Sequence, residues 1–134
     1  MKKIILLISF MFLLGHAKTA VVANSDVGEA KLSKSELVAI WSKKNTKSSS
    51  GTKFALIDNK SGTKGSFYDF IGKSQKAYKK IWMKFQLAGK GRGAKAVSDD
   101  GAVISKVKST SGAIGFVDEA AAKASGLKIL LVIP

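Results

Sequence analysis

The chain has 134 residues, 23 of them lysine or arginine against 9 acidic ones, a formal charge of +14, one histidine and no cysteine. Disulfide stabilisation is therefore excluded. The single histidine is His16, near the amino terminus, so the remaining chain lacks the residues of Ser-His-Asp and Cys-His nucleophile systems and the usual zinc ligands.

The elements begin with an export signal. Lys2 and Lys3 precede the apolar run Ile4 to Leu14, and Gly15-His16-Ala17 closes it with small residues at the last and third-last positions. This is the three-part layout of a secretory signal peptide. The run has eleven residues, about half of the ~20 that span a bilayer. Cleavage is expected after Ala17, because Thr19-Ala20-Val21-Val22-Ala23 then survives as a first strand. A second acceptable cut follows Ala23, with Val21 at the third-last position. Cleavage at Ala17 leaves residues 18–134 as one domain, with a charge of +14 less the two signal lysines, or +12. A chain of that size builds a single core. Without cysteine it carries no lipid anchor at a new amino terminus, and no transmembrane segment remains.

After the first strand, Ser33-Lys34-Ser35-Glu36 is a capping box. It opens a helix that buries Leu37, Ile40 and Trp41. A serine-rich loop runs from Lys43 to Gly51, and Lys53 to Asp58 reads as a second strand. Asn59 to Thr63 is a turn into a helical segment holding Phe67, Phe70 and Ile71. Ser74 caps a longer helix with Tyr78, Ile81, Trp82 and Phe85 on one apolar face and Lys76, Lys79, Lys80 and Lys84 on a solvated one. These rings share one stripe, so they read as core rather than as a nucleic-acid stacking platform. Leu87 to Lys95 is a glycine-rich basic loop without a Walker A pattern, and it reads as a flexible linker. Ser98 is expected to cap the next helix, with Asp99 and Asp100 favourable at its amino end. Val103, Ile104 and Val107 face inward there. Ala113 to Val117 is a buried strand, Asp118 caps an alanine-rich helix that stops at Gly126, and Lys128 to Ile133 is the last strand. The pairs Asp99-Asp100 and Asp118-Glu119 thus read as helix starts rather than acid/base pairs.

Alternation of strands and helices predicts an α/β domain with a mostly parallel sheet flanked by helices. In such sheets ligands sit beyond the carboxyl ends of the strands. The strand ending at Asp58 delivers Ser61-Gly62-Thr63 to a helix start. Free amides, two hydroxyls and a glycine that admits close approach suit an oxyanion there.

Longer stretches carry a resemblance. Leu32 to Trp41, then Gly51-Thr52 before a strand, then Ser61-Gly62-Thr63, then Val107-Lys108-Ser109-Thr110-Ser111-Gly112-Ala113-Ile114-Gly115-Phe116-Val117 are similar, in order and spacing, to the periplasmic phosphate-binding proteins of bacterial ABC transporters. Their short single-lobe relatives are more similar still. The resemblance implies one lobe of a type 2 periplasmic binding fold. It also implies phosphate contact at Ser61, Gly62 and Thr63, through backbone amides and hydroxyls. The family's arginine and aspartate ahead of this loop are replaced here by Ile57 and Asn59, and its proline after threonine by Ser111, a change expected to be harmless. Lys60 or Lys64 would restore the arginine's charge but not its planar fork.

The expected function is an exported, solute-binding-like protein that takes phosphate or a phosphate-bearing ligand at a helix amino terminus. Phosphate uptake through an envelope transporter is the implied setting. No cofactor, metal, specific nucleic acid or enzymatic activity is expected. The alternative is a basic envelope accessory or polyanion-binding protein that keeps the fold without a specific phosphate site. A charge of +12 supports that alternative through diffuse attraction.

Overall fold

Strand β1 (Thr19–Ala23) sends Val21 and Ala23 into one buried layer and Ala20 and Val22 into another, as the two-residue period of a strand requires. The computed structural model describes residues 18–134, so the expected export segment lies outside the described residues. Strands β2 (Ala55–Asn59) and β4 (Ala113–Asp118) alternate in the same way. Leu56, Ile114 and Phe116 join the first layer, and Ile57, Ala113 and Val117 the second. With β3 (Lys95–Val97) and β5 (Lys128–Ile133) they form one five-stranded sheet in the order β3-β2-β4-β1-β5.

β2 runs parallel to both β3 and β4. β1 pairs antiparallel with β4 on one side and β5 on the other. Four strands therefore share one direction and β1 alone is reversed, which gives the expected α/β class with a mostly parallel sheet. Helices cover both faces. α1 (Lys34–Trp41), α2 (Lys64–Phe70) and α3 (Gln75–Leu87) bury Leu37, Trp41, Phe67, Tyr78 and Trp82 against the first layer. α4 (Asp100–Ser109) and α5 (Glu119–Ser125) place Val103, Val107 and Ala122 on the second. Phe67 stacks on Phe116 with ring centroids 3.9 Å apart, and Trp41 meets Phe67 edge-on at 4.8 Å. Offset and edge contacts of this kind add to simple burial.

The helix starts are set locally. Ser33 accepts from the Glu36 amide while Glu36 reaches back to the Ser33 amide, completing the box. Ser74 accepts from Ala77 and Asp118 from Ala120. One cap differs from expectation: Asp99, not Ser98, accepts from the Ala102 amide at 2.9 Å and caps α4. The carboxylate is the stronger acceptor and also meets the helix dipole. The end of the expected linker also differs, because its last residue, Lys95, opens β3. This three-residue edge strand pairs Lys95 with Ile57, and Lys95 and Ala96 stay exposed. A short exposed edge leaves no apolar alternation to read.

Candidate functional site

Ser61-Gly62-Thr63 lies just beyond the carboxyl end of β2, where the chain turns into α2. The turn is an Asx turn: the Ser61 amide donates to Asn59 Oδ1 at 2.9 Å. Asn59 is fully buried and ties four elements together. Its Nδ2 donates to Asp100 Oδ1 at 2.7 Å, to the Phe116 carbonyl at 3.0 Å and to Thr63 Oγ1 at 3.3 Å. The Ser61 hydroxyl donates to Asp100 Oδ1 at 3.2 Å. Asp100 Oδ2 accepts from the Asp118 amide at 3.1 Å.

These contacts bring three helix starts around one cleft of about 600 Å³, walled by Ser61, Gly62, Thr63, Asp99, Asp100 and Asp118 and closed on one side by Lys18, Thr19 and Ser66. The starts are not alike. Asp99 caps α4 and Asp118 caps α5, so each of those dipoles already faces a carboxylate. α2 has neither a side-chain cap nor an acidic residue in its first turn. Among the described residues the Gly62 and Thr63 amides have no protein acceptor. The open donors in the cleft therefore belong to the Ser61-Gly62-Thr63 turn, opposite the carboxylate of Asp100.

Ser61, Gly62 and Thr63, three consecutive residues, all line this cleft. Lys60 and Lys64 flank the turn but do not line the cleft. Lys60 is exposed, and its backbone amide is used by the Val97 carbonyl at 3.0 Å. The cation at the rim is Lys18. The sequence marks Asn59 only as the replacement for the family's aspartate, and it reads Asp100 only as part of a helix start. Asp100 lies 39 residues beyond Ser61, and no local pattern links them. Ser111 also has more to do than expected, since its hydroxyl and the Gly112 amide both donate to Asp26. The Ser111 hydroxyl, followed by the Gly112 amide, holds the Asp26 carboxyl below the ordinary aspartate value.

No family model matches this chain. No curated protein matches it either. Solved structures do. A phosphate ABC transporter substrate-binding protein of Clostridium perfringens, with bound phosphate, superposes with a TM-score of 0.66 at 14% identity, over 85% of this chain and 44% of its own. An ABC-type phosphate transport receptor of Vibrio cholerae gives 0.65 at 18% identity, over 85% and 45%. PstS of Borrelia burgdorferi gives 0.64 at 19% identity, over 85% and 47%. The likeness establishes the fold, that of periplasmic binding proteins. The chain spans less than half the length of each of these structures.

Proposed function

We propose that this chain is an exported solute-binding-like protein that takes phosphate, or a ligand bearing phosphate, in the cleft at Ser61-Gly62-Thr63. One observation carries the reading. An uncapped turn presents the free Gly62 and Thr63 amides and the Thr63 hydroxyl to a cleft that faces Asp100. Amides and hydroxyls donate to the anion's bare oxygens. Asp100 accepts from its protonated oxygen, the task that the resemblance gives to an aspartate at the place of Asn59. A cleft with three carboxylates repels a fully ionised oxyanion and tolerates one that brings its own proton. Phosphate retains a proton at neutral pH and sulfate does not, so the site discriminates between them. The fold shared with a phosphate-bound structure supports the same ligand class.

Export is part of the proposal. β1 sits between β4 and β5 with all five residues buried. A cut after Ala23 would remove that strand, whereas a cut after Ala17 keeps it and places the new α-ammonium of Lys18 at the cleft rim. No helix among the described residues is long and apolar enough to cross a membrane. Binding rather than catalysis is the function the cleft supports, and phosphate uptake is its setting.

Calorimetric titration with phosphate and with sulfate, at low and at physiological salt, tests this. Saturable one-site binding of phosphate over sulfate, surviving salt, is expected. Thr63→Ala should weaken it by about tenfold or more, the scale of one charge-assisted hydrogen bond. Weak, equal binding of both anions that salt abolishes would overturn the proposal and favour the polyanion-binding alternative.

A further inference from the structure

A second cleft, of about 310 Å³, opens at the other end of β2, and its lining differs in kind from the first. Six of its lining residues are basic, Lys43, Lys53, Lys90, Arg92, Lys95 and Lys106, and no carboxylate lies among them. Leu56 and Phe85 give it an apolar wall. The cleft exists because β3 begins opposite Ile57, so the first residues of β2, Ala55 and Leu56, have β4 on one side and no strand on the other. The end of α1, the loop before β3 and the last turn of α4 close around that notch.

The cations are unpaired. The one ion pair among the described residues joins Lys123 and Glu119, neither of which lines this cleft. Six like charges around a small concavity repel one another, and in solution an oppositely charged ligand relieves that. Lys43 makes the point most sharply. α1 ends in a Schellman motif: the Lys43 amide donates to the Ile40 carbonyl at 3.1 Å and the Lys44 amide to Ala39 at 2.9 Å. Lys43 occupies the left-handed position of that motif, at φ 66°, where glycine is the ordinary residue. The backbone is therefore strained to keep a lysine there. Its ammonium is carried over the Phe85 ring at 5.4 Å, and burial holds its pKa below the usual lysine value.

We propose that this cleft is a second ligand site, separate from the Ser61 cleft, for a small molecule bearing two or more phosphate groups. Its volume lies at the lower end for small-molecule sites. Clustered lysines act as point charges that suit dense negative charge, and a single Arg92 adds one fork. Lys53 precedes β2 and Ser61 follows it, and the strand's five residues alone span about 16 Å. One chain can hold both ligands at once.

Calorimetry with inorganic triphosphate, orthophosphate and citrate at about 0.15 M salt, where the Debye length is about 8 Å, tests the proposal. Triphosphate should bind at one saturable site, more tightly than orthophosphate and citrate. Lys43→Gly should cost about tenfold in triphosphate affinity while melting no lower than the parent, because glycine relieves the left-handed strain. The double variant Lys95→Gln, Lys106→Gln should weaken triphosphate binding further and leave orthophosphate binding at the Ser61 cleft unchanged. Triphosphate binding that ignores these lysines, or that disappears with Thr63→Ala, would overturn the site. So would citrate binding as tightly as triphosphate, or binding abolished by salt.

Discussion

The Tyr68 hydroxyl donates to the buried carboxylate of Asp58 at 3.0 Å. Asp58 is 1% exposed and has no cationic partner among the described residues. Its second oxygen accepts from Gln75 Nε2, and the Tyr68 oxygen accepts from Trp41 Nε1 at 3.2 Å. Two neutral donors from α2 and α3 thus satisfy a carboxylate on β2, three residues before Ser61. Burial first, and then the Asp58 charge, push the Tyr68 pKa above its ordinary value. Tyr68→Phe keeps the ring and removes both bonds. A loss of about 2–4 kcal/mol is expected from the stranded carboxylate oxygen and indole, measured by urea unfolding. A change within about 0.5 kcal/mol, ordinary for a surface site, would refute the account.

What the sequence reveals about this fold divides by range. The capping box at Ser33 and Glu36, the Ser74 and Asp118 caps and the Tyr78–Trp82 stripe are all decided within four residues, and they are readable as such. Ser61-Gly62-Thr63 is visible because its neighbours resemble a known loop. Asp100, which accepts from the Ser61 hydroxyl, arrives only through the placing of β2 beside β4 and of α4 against them. The charge of the second cleft is spread from Lys43 to Lys106 and is likewise a product of topology. Asp58 reads as an ordinary strand end until Tyr68 and Gln75 are seen above it.

Gly112 carries the turn into β4. Its φ is 71°, and a Cβ there would stand 1.9 Å from the Lys53 carbonyl oxygen. That carbonyl is backbone and cannot swing aside. The Gly112 carbonyl also accepts from Ala55 at 2.9 Å, so any shift of the turn pulls on β2. Gly112→Ala should cost about 3–5 kcal/mol, the range of backbone strain added to a steric clash. Thermal unfolding checks this, and a melting temperature equal to the parent's would show that the turn gives way freely.

Asp26 predicts an acid response. Its folded pKa is depressed, first by the Ser111 hydroxyl and then by the Gly112 amide. A depressed carboxyl contributes stability above its unfolded pKa and loses it as pH falls through the folded value. Asp26→Asn should therefore melt below the parent at neutral pH. The gap should close as pH drops from about 5 towards 2. A gap that stays constant across this range would place the contribution in the amide-compatible contacts instead of the charge.

Asn59 supplies the sharpest test of how this cleft differs from the proteins it resembles. Asn59→Asp, which supplies the aspartate that the resemblance implies at this place, is conservative in shape. Here it would remove the donor that meets Asp100 Oδ1 at 2.7 Å and set two carboxylates face to face. It would also strand the Phe116 carbonyl. Like charges at that distance cannot both ionise freely, so one pKa rises above its unfolded value. The cost, about 2–4 kcal/mol from the lost donor and the repulsion, is full at neutral pH. It shrinks as acid protonates the pair, because protonation returns a donor to the contact. Urea unfolding at pH about 7 and about 4 measures both ends of this range. A variant as stable as the parent at neutral pH would mean that Asn59 and Asp100 are not coupled.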